Sequence, residues 1–260
     1  MERFSYRVVE EETQFFDLPD GKRLMAKLHG TIEDRVAVIV HGRPGSGDYE
    51  PYRTISRYLD NYNIPTLRLS LYSDYADTRD IQDCSLDTNT ADLEAVIGDL
   101  RTKVGSIALV THSYSSMASG MLEHNKPDVA VWLDPSHGSY WQNNSGGSGV
   151  KVGDHIIYTG GAGYTYPASY QQYDRQLGDT SHLAKKLDRP LKIISAGKGS
   201  LTEYGELYYQ AANEPKSHVV IPDAGHGFTN SDAVTLQACQ EIYAWLDEHM
   251  QTANASPSNQ

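Results

Sequence analysis

Residues 6–28 alternate polar and apolar positions on both sides of Leu18-Pro19-Asp20-Gly21. Period-two alternation around turn-forming residues predicts an antiparallel hairpin. The pattern then changes. Arg35-Val36-Ala37-Val38-Ile39-Val40 is apolar at consecutive positions and ends at His41-Gly42. A strand apolar on both faces belongs inside a covered, largely parallel sheet. Similar runs occupy 66–71, 106–110, 129–133 and 191–194, and 219–221 closes the series. Between them, residues 90–103, 115–123, 203–212 and 232–250 place apolar side chains at helical spacing. This alternation predicts an α/β fold: a mostly parallel central sheet with helices on both faces, fronted by the N-terminal hairpin.

Residues 136–185 break the rhythm. They hold nine of the chain's 22 glycines, together with Tyr140, Trp141, Tyr158, Tyr164, Tyr166, Tyr170 and Tyr173. Long irregular stretches inside compact domains are functional lids or disordered insertions, and this aromatic content is too high for disorder. The expected division is a core of 1–135 and 186–250, a cap insertion at 136–185, and a disordered small polar tail at 251–260.

Composition narrows the partners. The 260 residues are 39% hydrophobic and 22% charged, which fits a core-forming globular chain. Lysine and arginine number 22 against 34 acidic residues, a net charge of −12, which argues against nucleic acid. No run approaches the ~18 apolar residues that span a bilayer, and residues 1–12 lack a signal-peptide core, so no membrane and a cytoplasmic location are expected. Cys84 and Cys239 match no metal-ligand spacing and read as reduced core thiols. The Asn-x-Ser sequons at Asn143 and Asn254 would matter only in a secretory setting that nothing else supports.

Three loops could carry chemistry. The strand at 107–110 runs through Thr111-His112-Ser113-Tyr114-Ser115 into a helix-like segment. Strand, tight turn, serine and helix make the context of a nucleophile elbow, with Ser113 as the nucleophile. Thr111 and Ser115 stand where glycines are usual. The strand ending at Val40 leads into His41-Gly42-Arg43-Pro44-Gly45-Ser46-Gly47, a turn with exposed amides. An acyl-transfer oxyanion needs two preorganised donors, and the N–H groups of Arg43 and Tyr114 are the natural pair in this topology. A serine hydroxyl also needs a base, and histidine, with an unperturbed pKa of ~6.5, suits the task. Of ten histidines, His226 in Asp223-Ala224-Gly225-His226-Gly227-Phe228 follows the last strand and reaches the same sheet edge.

Together, HGRPG, THSYS and AGHGF resemble the loops of the α/β-hydrolase superfamily. The resemblance covers about residues 20–250 and is similar in shape to the single-domain esterases, lipases and serine aminopeptidases. It implies the chain order serine, acid, histidine. The loop that usually supplies the acid as Gly-x-x-Asp reads Gly197-Lys198-Gly199-Ser200 here. The alternative is the preceding strand end, where Leu133-Asp134-Pro135 is similar to the Leu-Asp-Pro of pancreatic-type lipases. Asp134 is therefore the expected acid, and Glu203 and Glu206 are the runners-up.

Serine at the elbow argues against the carboxylate-nucleophile chemistry of dehalogenases and epoxide hydrolases. The resemblance implies a serine hydrolase acting on a small-molecule ester, thioester or amide without cofactor or metal. Three alternatives stay open. One is a serine aminopeptidase reading a free amine through Asp154, Asp174 or Asp179. The others are an acyltransferase using the same residues and an inactive fold kept for binding.

Overall fold

The computed structural model describes residues 11–143, 149–158, 165–167 and 173–250. The expectations for the N-terminal ten residues, for Tyr164 and Tyr170, and for the tail at 251–260 with Asn254 lie outside the described residues.

The hairpin forms from β1 (Glu12–Asp17) and β2 (Arg23–His29), with Phe15 opposite Met25. Gly21 closes the turn at φ +83°, a conformation glycine adopts without a Cβ penalty. The next strands are β3 (Arg35–Val40), β4 (Thr66–Ser70), β5 (Ser106–His112) and β6 (Val129–Leu133). Three short strands follow, β7 (Gly149–Val152), β8 (His155–Tyr158) and β9 (Thr165–Pro167), then β10 (Leu191–Ala196) and β11 (Lys216–Ile221). The main sheet has eight strands in the order β1-β2-β4-β3-β5-β6-β10-β11, antiparallel through β1, β2 and β4 and parallel from β4 onward.

Among the described elements are also helices α1 (Tyr52–Asp60), α2 (Leu86–Arg101), α3 (Tyr114–Met121), α4 (Gly138–Asn143), α5 (His182–Leu187), α6 (Thr202–Ala211) and α7 (Asp232–His249), with a 3-10 turn at Ile81–Asp83. Strand pleating divides the core into two layers. Val36, Val38 and Val40 face Leu93, Met117, Leu183 and Tyr208 of α2, α3, α5 and α6. Ala37 and Ile39 face Ile55 and Leu59 of α1 and Ile242 and Leu246 of α7. The consecutive apolar run of β3 is thus filled on both sides.

Several boundaries differ from the sequence expectation for local reasons. Helix α2 starts at Leu86, not near residue 90, because the Ser85 hydroxyl caps it by accepting the Thr88 N–H at 3.0 Å. Strand β11 starts at Lys216 because it is an edge strand, where polar residues tolerate the open side. Helix α1 was not anticipated, although Pro51 and the spacing of the buried Tyr52, Ile55 and Leu59 mark it. Within 136–185, β7, β8 and β9 form a separate antiparallel sheet. Helix α5, which begins inside that segment, packs on α3, and the Cβ of Leu183 lies against Gly120. The two cysteines are buried and unpaired, and burial pushes the Cys239 thiol up to about 12.

Ligand sites in such sheets gather at the carboxyl ends of parallel strands. Here the ends of β3, β5, β6 and β11 deliver His41, Ser113, Asp134 and the loop containing His226.

Candidate active site

Ser113 sits between β5 and α3 at φ +56°, ψ −118°. A non-glycine residue there is strained, at a cost of order 1–3 kcal/mol, and such strain gathers at functional sites. Its N–H donates to the Leu133 carbonyl at 2.9 Å, and its own carbonyl accepts the Ser136 N–H at 3.1 Å. Ser115, where a glycine is usual, is accommodated because its buried hydroxyl lies 2.9 Å from the His112 carbonyl and 3.3 Å from that of Val40.

Asp134 also has positive φ, +38°, and turns its side chain back under the histidine loop. The carboxylate is fully buried. Its Oδ1 accepts the Ala196 N–H at 3.0 Å, and its Oδ2 accepts His226 Nδ1–H at 2.6 Å. That bond fixes the tautomer, leaving His226 Nε2 to accept from Ser113 Oγ at 3.0 Å. The serine, histidine and acid expected from the sequence therefore form one hydrogen-bonded chain. Glu203 and Glu206 do not join it: Glu203 is exposed in the first turn of α6, and Glu206 pairs with His218 Nδ1 at 3.0 Å.

The His226 loop is tied down at both sides. Asn230 Oδ1 accepts the Gly225 N–H at 2.6 Å, and Phe228, at φ +54°, is buried beneath. The His226 side chain is 47% exposed, open to an entering molecule.

Residues 41–47 are fastened to the end of β4. His41 donates from Nδ1 to the Gly42 carbonyl at 2.7 Å and accepts the Leu71 N–H at Nε2 at 3.0 Å. Burial pushes its pKa down to about 4, so the ring is neutral. Tyr72 Oη accepts the Gly45 N–H at 2.6 Å. Glycine is required at position 42, where a Cβ would stand 2.9 Å from Ser113 Cβ and 3.2 Å from the His112 carbonyl oxygen. This contact sets Arg43, the next residue, beside the elbow, and Tyr114 opens α3, where the helix field favours negative charge.

Four further residues reach the site. Ser136 Oγ lies 3.0 Å from Ser113 Oγ. Its carbonyl accepts from Tyr208 Oη at 2.8 Å, and Thr180 holds that phenol at 2.7 Å. Buried His112 donates from Nε2 to the His226 carbonyl at 2.8 Å and accepts from Tyr52 Oη at Nδ1 at 2.6 Å. Burial, then the facing His226, holds His112 well below the ordinary histidine range. Asp174, fully buried, accepts from the Arg43 guanidinium and from Tyr114 Oη. The sequence offered a signal only for His112, the neighbour of Ser113, and for Asp174, weighed there as a reader of amines. Nothing in it marked Tyr52 or Ser136.

No group of three or more metal-ligating side chains occurs among the described residues. No helix among them is long and apolar enough to cross a membrane.

No protein-family model matches the chain, and no curated protein matches its sequence significantly. Solved structures do match. Est1E from Butyrivibrio proteoclasticus, with ferulic acid bound, superposes with a TM-score of 0.75 at 18% identity, over 91% of this chain and 98% of that one. The esterase domain of a Rhodothermus marinus protein gives 0.67 at 19% identity, over 93% and 99%. The α/β hydrolase GrgF from Penicillium sp. sh18 gives 0.70 at 13% identity, over 93% and 99%. The chain has the α/β-hydrolase fold.

Proposed function

We propose that this protein is a serine hydrolase that cleaves carboxylic esters through an acyl-enzyme. One observation carries the reading: a strained serine hydroxyl is hydrogen-bonded to a half-exposed histidine whose other nitrogen is held by a buried carboxylate. Ser113 Oγ attacks the ester carbonyl carbon while its proton passes to His226 Nε2. The backbone N–H groups of Arg43 and Tyr114 hold the oxyanion. Asp134 keeps the imidazole in the productive tautomer and stabilises its charge without taking the proton. His226 then protonates the departing alcohol, and water, activated by the same histidine, releases the acid. No cofactor is called for.

Two of the structural neighbours, Est1E and the Rhodothermus marinus esterase domain, at 18–19% identity, agree with this reading. The aminopeptidase alternative needs an acid free to read a substrate amine. Asp174 is neutralised by Arg43, and Asp179 accepts from Ser181 N–H and faces His137 Nε2 at 3.2 Å. Asp154 is exposed at the β7–β8 turn. These placements favour esters over aminoacyl amides. Two buried, unpaired thiols agree with a cytoplasmic setting.

The test is a panel of short acyl esters and aminoacyl anilides. Turnover of the esters, with anilides at least a hundredfold slower, is expected. The reverse order would replace the esterase by the peptidase.

A further inference from the structure

Arg43 follows β3, Tyr114 opens α3, and Asp174 belongs to the segment between β9 and α5, 131 and 60 residues away from them. Their side chains meet in a closed triangle. The Arg43 guanidinium donates to Asp174 Oδ2, Tyr114 Oη donates to Asp174 Oδ1 at 2.9 Å, and Arg43 Cζ lies 3.7 Å over the centre of the Tyr114 ring. Each carboxylate oxygen is used, and the Arg43 and Asp174 side chains are 5% and 0% exposed.

We infer that Asp174 is a positioning residue that clamps the oxyanion hole, because it grips the side chains of the two residues whose backbone amides face the developing charge. The inference rests on the acyl-transfer reading above.

Two amides from different elements hold an oxyanion only if their spacing is fixed to about half an ångström. Apolar packing is non-directional and permits sliding of that size. A desolvated carboxylate bonded to a guanidinium on one oxygen and a phenol on the other fixes direction as well as distance. The guanidinium–ring contact closes the third side of the triangle. Tyr173, the preceding residue, donates from its hydroxyl to Asp87 Oδ1 on α2 at 3.3 Å, which anchors the segment that carries the clamp. The insertion therefore takes part in transition-state stabilisation, and its docking is coupled to the chemical step.

Asp174→Asn removes the charge that holds Arg43 and keeps an acceptor for Tyr114. Tyr114→Phe removes only the second donor. Both leave the two backbone N–H groups chemically intact, so the loss measured is one of position. A misplacement of about 1 Å costs roughly 10²-fold. Both variants should therefore lower kcat tenfold to a hundredfold, with KM for a short acyl ester changed less than threefold. The inhibition constant of a trifluoromethyl ketone with the same acyl chain should rise by the factor that kcat/KM falls, a correspondence that a loss of stability alone would not produce. Asp174→Glu should recover part of the loss. Unchanged kcat and inhibitor affinity in folded Tyr114→Phe, or a loss confined to KM, would overturn the clamp while leaving the hydrolase intact. A wild-type protein that neither turns over esters nor forms an adduct at Ser113 would overturn the acyl-transfer reading and the clamp with it.

Discussion

His112 donates its Nε2–H to the backbone carbonyl of His226 at 2.8 Å, although the two lie 114 residues apart. The bond ties the elbow to the histidine loop. Its other nitrogen continues the chain, since Tyr52 Oη donates to His112 Nδ1 and accepts the Gly42 N–H at 3.3 Å. One line of hydrogen bonds thus joins the loops after β3, β5 and β11.

Cutting that line at Tyr52 tests it. Tyr52→Phe leaves His112 Nδ1 and the Gly42 N–H buried without this partner, which costs about 1–3 kcal/mol of stability. A fall of several degrees in Tm and a fivefold to tenfold loss in kcat/KM are expected, read by calorimetry and ester turnover.

Asp134→Asn should lower kcat on the order of 10³- to 10⁴-fold, because the amide no longer selects the Nδ1–H tautomer of His226. Glu203→Gln and Glu206→Gln should leave kcat within about twofold, since both carboxylates lie on α6 and outside the Ser113–His226 chain. Steady-state rates of the three variants decide the acid.

Gly42→Ala would push a methyl group to 2.9 Å from Ser113 Cβ. Either the elbow or the 41–47 loop must move, and both are tied to several partners. A loss in kcat of at least 10²-fold, with folding detectable by circular dichroism, is expected.

Buried neutral histidines make stability pH-dependent. The His41 pKa falls from 6.5 to about 4 in the folded protein. As pH drops through 6.5 the unfolded chain takes up a proton that the folded protein refuses until about 4. Stability is therefore highest above the upper value, is lost progressively between the two, and loses nothing further from His41 below the lower one. At pH 5 the loss from His41 is about 2 kcal/mol, and His112, shifted in the same direction, adds to it. Urea unfolding at pH 7 and 5 should show the drop, and His41→Gln should shrink it. An equal drop in that variant would assign it to other groups.

Much of this site was legible because its parts are local. The strand ends, the glycine turn at 42 and the serine between strand and helix are each written in five or six consecutive residues. Asp134 could be reached from its place at the end of an apolar run, even with the usual Gly-x-x-Asp absent from 197–200. What the sequence did not reveal are the long-range contacts: Tyr52 with His112, Ser136 with Ser113, and Asp174 with Arg43 and Tyr114. Those pairings depend on side chains brought together only by the packed sheet, and a tyrosine or aspartate destined for such a role carries no local mark. The Ser85 cap of α2 and the spacing of Tyr52, Ile55 and Leu59 in α1 carried a signal, but polar residues interleaved with the apolar positions obscured it.

The central claim is that Ser113 is chemically activated, and labelling with a fluorophosphonate probe at pH 7.5 tests it most directly. Intact-mass analysis of the wild type should show a single adduct, mapped to Ser113 and lost in Ser113→Ala with the fold unchanged. A folded wild-type protein with no adduct, or one labelled equally in Ser113→Ala, would contradict the account.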